Sequence, residues 1–314
     1  MSNNNDSFKI DVCCGHIPVL LKETVCLLSP KDNETYLDCT FGGGGHTSAI
    51  LNSANCKVVA IDRDPQAIER AKNVKEKFGE RFEFFPMKFS ELDTLPYRDF
   101  AGVLFDFGVS SFQLDEGERG FSINKEAVPD MRMNNAEGES ALDYINRVGE
   151  YELGCVLRDY GEEQLYKKIS RAIIAARNAG KINTTTDLAN IVSTANPPRA
   201  RQHIHPATKT FQALRIKVND ELGEIETALP KAFSVLKQGG ILAAISFHSL
   251  EDRIAKQFCK RMAGRPESRA DTSFLQDRIK LATLLTTKPI VATEQEISLN
   301  PRSRSAKLRA IKKD

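Results

Sequence analysis

Thr35–His46, TYLDCTFGGGGH, is the stretch whose reading decides the fold. A short apolar run of strand character is stopped by four consecutive glycines, and a segment of helical character, HTSAILNSA, follows. Strand, glycine loop, helix is the opening of a nucleotide- or cofactor-binding βαβ unit. The glycines let the backbone turn tightly and let a ligand approach where a Cβ would clash. Working outward, KVVAID (57–62) is a second strand, and DPQAIERAKNVKEKFG (64–79) a helix with Asp64 as cap, Pro65 at its first position and Gly79 at its end. FEFFP (82–86) and GVLFDFG (102–108) are a third and a fourth strand. Strands alternating with helices imply a parallel sheet with right-handed crossovers.

Beyond the fourth strand the rhythm changes. From Asp115 to Ala213 only helical stretches are found: YINRVGEYELGCVLRDYG, EQLYKKISRAIIAARNAG and TTTDLANIVSTA, the last with a Thr cap. The α/β pattern then returns. Phe211 to Leu236 reads as one helix ended by Gly239-Gly240, ILAAISFH (241–248) as an apolar strand, and 250–262 as a helix, while SAKLRAIKK is expected to add a last, edge strand. The expected architecture is therefore a Rossmann-like α/β core, residues 8–114 and 214–314, interrupted by a helical domain at 115–213.

Composition sets bounds. The chain has 314 residues, a formal net charge of +2, 41% hydrophobic and 27% charged residues, ordinary values for a globular protein large enough to bury a core unaided. Its cysteines (Cys13, Cys14, Cys26, Cys39, Cys56, Cys155, Cys259) are scattered without C-x-x-C spacing, which reads as reduced thiols. Met1 to Ser7 lack the basic start and apolar run of a signal peptide, and no apolar stretch has the length of a membrane span, so a cytoplasmic location is expected. Apolar positions on the long helices would permit a homodimer. With so small a net charge, a nucleic-acid partner must be met by a local basic patch.

The glycine loop alone is also compatible with a plain flexible turn. Asp62 argues against that, because it ends the second strand about twenty residues on, where an acid hydrogen-bonds ribose hydroxyls. Counted from Gly42, the third glycine position of G-x-G-x-x-G is Thr47, so a dinucleotide fingerprint fails, and no Gly-Lys-Ser/Thr of a P-loop is present. Asp38 before the loop and Asp106 at the end of the fourth strand suit a cationic sulfonium better than a phosphate. S-adenosylmethionine is the cofactor these residues favour. Asp106 opens FDFGVSSFQLDEGERGF and is the candidate acceptor that would orient an attacking amine, since methyl transfer needs positioning rather than a covalent nucleophile. Ser110, Ser111 and Asp115 would equally cap local backbone. His248 and Ser249 suit either the rim of the site or, for Ser249, a helix cap.

PRARQHIHPATKTFQALRIK supplies Arg199, Arg201, Lys209, Arg215 and Lys217 with aromatics between them, a pattern suited to RNA phosphates and a stacked base, or to a solvated basic face. His203 and His205 lack a further ligand set, so no metal is expected. Asn196-Pro197-Pro198 imitates an amino-methyltransferase signature but lies in the helical stretch and is followed by Arg199, so it reads as a helix end.

Together HIPVLLKE, LDCTFGGGGHT, AIDRDPQAI, DFGVSSFQLDEGERGFS, DMRMN, HPATKTFQALRIKVNDEL, ISFHSLEDRI and NPRSRSAKLRA resemble the bacterial MraW (RsmH) family of small-subunit ribosomal RNA methyltransferases, nearly end to end. The resemblance implies a Rossmann-like S-adenosylmethionine-dependent methyltransferase core with an inserted helical RNA-recognition domain. It implies N4-methylation of a cytidine in the decoding region of the small-subunit ribosomal RNA, with the small ribosomal subunit as partner. It assigns Gly44, Gly45, His46, Asp62, Phe89, Asp106 and Gln113 to the cofactor. Phe89 would flank the adenine, a role periodicity does not reveal, and Asp106 would then serve cofactor, amine or both. A catalytically silent RNA-binding assembly factor on the same scaffold is the rival reading; it predicts a damaged cofactor loop, whereas Gly44, Gly45, Asp62 and Asp106 are all present. The segment 263–289 is the least family-like.

Overall fold

A computed structural model describes residues 17–197, 205–268, 271 and 278–314. In chain order, α1 (Leu21–Leu28) leads to β1 (Thr35–Asp38), α2 (Gly45–Ser53), β2 (Lys57–Asp62), α3 (Ala67–Phe78), β3 (Phe82–Pro86) and β4 (Phe100–Asp106). Helices α4 (Ser111–Asp115), α5 (Ala141–Arg147), α6 (Glu150–Asp159), α7 (Tyr166–Asn178), α8 (Thr185–Ala195) and α9 (Thr208–Asn219) follow. The chain then runs through α10 (Glu221–Val235), β5 (Leu236–Ser246), α11 (Ser249–Met262), β6 (Ala282–Leu284), α12 (Glu294–Leu299) and β7 (Lys307–Lys313). Two compact units result: Met1–Gly108 with Glu224–Asp314, and Val109–Gly223.

The first unit is a sheet of order β3-β2-β1-β4-β5-β7-β6. β1 to β5 are parallel, β7 runs antiparallel to β5, and β6 antiparallel to β7. This is the Rossmann-like core of S-adenosylmethionine-dependent methyltransferases. Its strands are apolar on both faces because helices cover both. Alternation along each strand sorts the side chains: Leu37, Val59, Ile61, Val103 and Phe105 face Ile225, Leu229 and Ala232 of α10 and Phe258 of α11. Tyr36, Val58, Ala60 and Leu104 join Ile50 and Leu51 of α2 and Ala67, Ala71, Val74 and Phe78 of α3. The α3 stripe recurs at helical spacing, which is why so charged a helix docks. The polar ends of β1, β2 and β4, namely Asp38, Asp62 and Asp106, all fall at the carboxyl edge of the sheet, where ligands bind in such folds.

Several expectations are corrected. SAKLRAIKK does not form the edge strand: β7 lies between β5 and β6, because ATL (282–284) pairs with its outer side. Phe211 to Leu236 is not one helix; it breaks at Asp220, whose φ of 49° is left-handed, into α9 and α10. The helical unit accordingly runs to Gly223, past the expected 213. Gly239-Gly240 does not end a helix but lies within β5, where the register against β4 jumps from Phe100–Leu236 to Gly102–Ile241. YINRVGEYELGCVLRDYG is divided between α5 and α6. α3 starts at Ala67 rather than Pro65, with Asp64 accepting from the Gln66 and Ala67 N–H groups.

The helical unit packs Tyr144, Ile145, Leu153, Leu157, Ile169, Ile173, Leu188, Val192, Phe211 and Leu214 into one core. Ser140 with Asp143 and Thr184 with Asp187 form capping boxes. Asn196 is the C-cap of α8, so a helix ends where the Asn-Pro-Pro run begins; Pro198 lies outside the described residues. Asn219 fastens the Met131–Met133 strap, donating to the Met131 carbonyl and accepting from the Met133 N–H, both at 2.7 Å.

Candidate active site

β1 stops at Asp38 and the chain crosses the end of β2 before α2 begins. The Phe41 N–H reaches the Ile61 carbonyl at 3.1 Å, and Gly44 N–H closes a turn on the Phe41 carbonyl at 2.7 Å. Gly44 has a φ of 75°, and a Cβ there would meet the Phe41 ring at 2.8 Å. That ring cannot retreat easily, since it packs on Phe82 and Phe84 with centroids 5.6 and 5.2 Å away. Gly45 is needed for a different reason: a Cβ would lie 2.3 Å from Cγ of Pro18. The loop is thus pressed between β3 aromatics and the 17–20 segment.

Asp62 anchors it from the side. Its Oδ2 accepts from Gly42 N–H at 2.7 Å and its Oδ1 from Asp64 N–H at 2.8 Å. Burial pushes its carboxyl upward, and the two N–H donors pull the other way. Each oxygen keeps a second lone pair for a hydroxyl donor. Arg70, on α3, completes the clamp by donating from Nε to the Gly42 carbonyl at 2.8 Å. Nothing in the sequence marks Arg70 for this, because the contact joins elements that only the fold brings together.

Asp38 and Asp106 lie on neighbouring strands. Asp38 is buried, accepting from the Thr47 hydroxyl at 2.7 Å and the Thr40 N–H at 3.1 Å, and burial raises its carboxyl to about 6. The Thr40 hydroxyl accepts from the Asp106 N–H at 2.7 Å. Asp106 is pushed well above the usual carboxylate range, first by burial and then by Asp38 and Glu251. Among the described residues its Oδ1 is buried with no hydrogen-bond partner, whereas its Oδ2 lies 3.7 Å from Nδ1 of His46. His46 is itself buried, with Nε2 at 3.1 Å from the Val19 carbonyl, and burial lowers it to about 4.

Glu251 stands behind this group, fully buried, accepting from the N–H groups of Phe247 and His248 at 2.7 and 3.2 Å. The cap of α11 is His248, not Ser249, which is its first helical residue. Phe89 is half-buried, with its ring edge-on to Phe105 at 5.7 Å and tilted against Phe107 at 6.3 Å.

Gly44, Gly45, His46, Asp62, Phe89 and Asp106 therefore belong to one unit and its carboxyl-edge loops. Gln113 belongs to the helical unit, where its side chain accepts from Ser110 N–H at 3.0 Å in a capping box. Lys209 donates to the Glu162 carbonyl at 2.9 Å, and Arg215 forks onto Glu221 at 2.7 and 2.8 Å. Arg199 and Arg201 lie outside the described residues. The cofactor fit rests on chemistry: an acid with spare lone pairs beside a glycine loop, and an unsatisfied buried carboxylate oxygen with two further acids near it. Such a set welcomes hydroxyl donors and a cation and would repel a phosphate.

The model of the MraW methylase family matches residues 13–314. The ribosomal RNA small subunit methyltransferase H of Rickettsia massiliae is 45% identical over 302 residues, 95% of this chain and 98% of its own. Its namesake from Gluconobacter oxydans is 46% identical over 301 residues, 95% and 93% of the two chains. A solved rRNA methylase from Streptococcus thermophilus aligns over 95% of this chain and 98% of its own, at 12% identity and a TM-score of 0.43. With the family match running nearly end to end over the fold and loop described above, the chain belongs to the MraW methylase family.

Proposed function

We propose that the protein methylates the exocyclic N4 amine of a cytidine in the decoding region of small-subunit ribosomal RNA, within the small ribosomal subunit, using S-adenosylmethionine. The observation that carries this reading is the Oδ1 oxygen of Asp106, buried without a partner among the described residues at the carboxyl edge of the sheet. The cofactor, when bound, supplies an electrophilic methyl group on a cationic sulfur. Gly44, Gly45 and His46 would hold its amino-acid end, Asp62 would accept from its ribose hydroxyls, Phe89 would flank its adenine, and Gln113 is a further candidate contact. The Asp106 carboxylate, partly exposed at this edge, accepts one amine N–H, which orients the nitrogen lone pair for in-line attack, and then takes the proton released as the new C–N bond forms. Asp38 and Glu251 add negative potential that favours a cation at the same edge. The helical unit carries the RNA, with Arg199, Arg201, Lys209 and Arg215 as the candidate contacts.

The family naming of the relatives supports the ribosomal substrate, and the acidic edge supports the donor. The test is methyl transfer from labelled S-adenosylmethionine to small subunits lacking the modification, read by nucleoside mass spectrometry. N4-methylcytidine is expected with the native protein and absent with Asp106→Asn. A different methylated nucleoside, or activity retained by Asp106→Asn, would overturn the assignment.

A further inference from the structure

Charge is spread unevenly along this chain. Its formal total is +2, yet from Arg253 to Asp314 fifteen Lys and Arg stand against six Asp and Glu. The helical unit, Val109–Gly223, holds fifteen cations against sixteen acids. The cationic surplus that a phosphate backbone would meet therefore lies on the core, in the part formed by α11, β6, α12 and β7.

At the amino edge of the sheet, cations of this part have acids of their own: Arg261 faces Glu267 at 3.3 Å, Arg278 faces Asp271 at 2.7 Å and Lys280 faces Asp314 at 2.8 Å. At the carboxyl edge one acid serves two cations. Asp252, in the first turn of α11, meets Nε of Arg309 at 2.7 Å and Nζ of Lys307 at 3.4 Å. Arg309 is 9% exposed and Asp252 11%, whereas Lys307 is 40% exposed. A carboxylate neutralises one cation, and the closer, buried guanidinium has first claim, so the ammonium outside stays open to a further anion. Lys256 follows Asp252 by one helical turn, on the same side of α11. Arg304 precedes Lys307 by three residues, in the Pro301–Ser305 turn. Among the described residues neither the Lys256 nor the Arg304 side chain has an ion-pair or hydrogen-bond partner. The turn itself is fixed from behind, since Nδ2 of Asn300 donates to the Ile17 carbonyl at 3.0 Å and Oε1 of Glu296, on α12, accepts from the Leu20 N–H at 2.7 Å.

This rim lies on the reactive side of the sheet. Ile245 of β5 pairs with Asp106 on one side and Leu308 on the other, so β7 begins two strands from Asp106, roughly 10 Å away at ordinary strand spacing. We infer that Lys256, Arg304 and Lys307 form a phosphate-contacting rim on the methyltransferase core, which holds the RNA backbone within a few nucleotides of the target base. Such contacts fix the register of the strand without reading its sequence, so the core itself would help to place the base opposite the donor. The inference rests on RNA as the substrate.

The closing experiment measures the affinity of the full chain for small ribosomal subunits lacking the modification, over a range of salt concentrations. Each lost phosphate contact lowers the magnitude of the log–log salt slope by about 0.7–0.9, so Lys256→Gln with Arg304→Gln should lower it by about 1.5. At about 0.1 M salt the same variant should bind about ten- to fiftyfold more weakly, with KM for the subunit rising in step. Lys307→Gln, which leaves the Asp252–Arg309 pair whole, should lower the slope by about 0.8. A charge-matched control on α3, Lys72→Gln with Lys77→Gln, should keep the wild-type slope. An unchanged slope in the Lys256 and Arg304 variant overturns the rim, and so does an equal loss in the control, which would leave only net charge at work. Wild-type protein that does not bind the subunits at all would instead overturn the RNA reading on which the rim depends.

Discussion

Asp62→Asn is nominally the gentlest change available at that position, yet it is expected to be no gentler than Asp62→Ala. Both carboxylate oxygens accept backbone N–H groups, Gly42 on one and Asp64 on the other. An amide has one oxygen, so it can satisfy one of these donors and must turn its own NH2 toward the other. The alanine leaves two donors unmet but adds no repulsion, and at a sheet edge water can partly replace the carboxylate. Hydrogen bonds to a charged acceptor contribute about 1.5–3 kcal/mol. Losing the ribose contacts alone should thus weaken cofactor binding by roughly 10- to 150-fold. Slackening of the Gly42 turn adds to this in both variants. Calorimetric titration of S-adenosylmethionine into wild type, Asp62→Ala and Asp62→Asn tests the reasoning. Both variants should be weaker by at least about tenfold and lie within about threefold of each other. An Asn variant binding like wild type would show that the bifurcated anchoring is unimportant and that Asp62 is not the ribose acceptor.

Asp38→Asn should stabilise the cofactor-free protein at neutral pH. A buried carboxyl raised from 3.8 to about 6 favours the protonated folded state, so its contribution is present below about pH 4 and is lost as pH rises toward 6. At about 1.4 kcal/mol per pKa unit the gain is on the order of 1–3 kcal/mol above pH 7 and vanishes at pH 4. Thermal unfolding across that range checks it, and an unstabilised variant at pH 7 would contradict the burial argument. Gly45→Ala should displace Pro18 and lower both stability and cofactor affinity. Gly79→Ala, at a φ of 59° and a ψ of −132° that are essentially reserved for glycine, should cost about 1–3 kcal/mol through backbone strain alone, since nothing lies within 4 Å of the added carbon, and leave affinity unchanged. Arg199→Ala with Arg201→Ala should flatten the salt dependence of RNA binding by a slope of about 1–2 without touching cofactor affinity. Arg215→Ala also removes a fork held by Glu221 and should lower stability in unfolding curves as well as weaken RNA binding.

What sequence reading could reach was whatever is encoded locally. The glycine run, the acids ending β2 and β4, and the Thr184 cap each announce themselves within a few residues. Arg70, Thr40, Thr47, Glu296 and Asn300 do not, since each matters through a partner that folding brings to it from another element. β6 is not legible in the sequence because three residues carry no periodicity, and without it β7 reads as an edge. The kink at Asp220 was invisible in an uninterrupted helical pattern. Its cause is one left-handed residue, whose strain sequence alone does not reveal.

β4 and β5 are hydrogen-bonded neighbours, yet the paired residues Asp106 and Ile245 are more than a hundred positions apart. Closing so long a loop in an unstructured chain is slow, and its entropic cost grows with the logarithm of its length. A helical unit that folds first shortens the effective loop to the two strands of chain that enter and leave it. The order of events in folding is then set by the insertion: mutations in its core, such as at Tyr144 or Leu157, should retard assembly of the sheet.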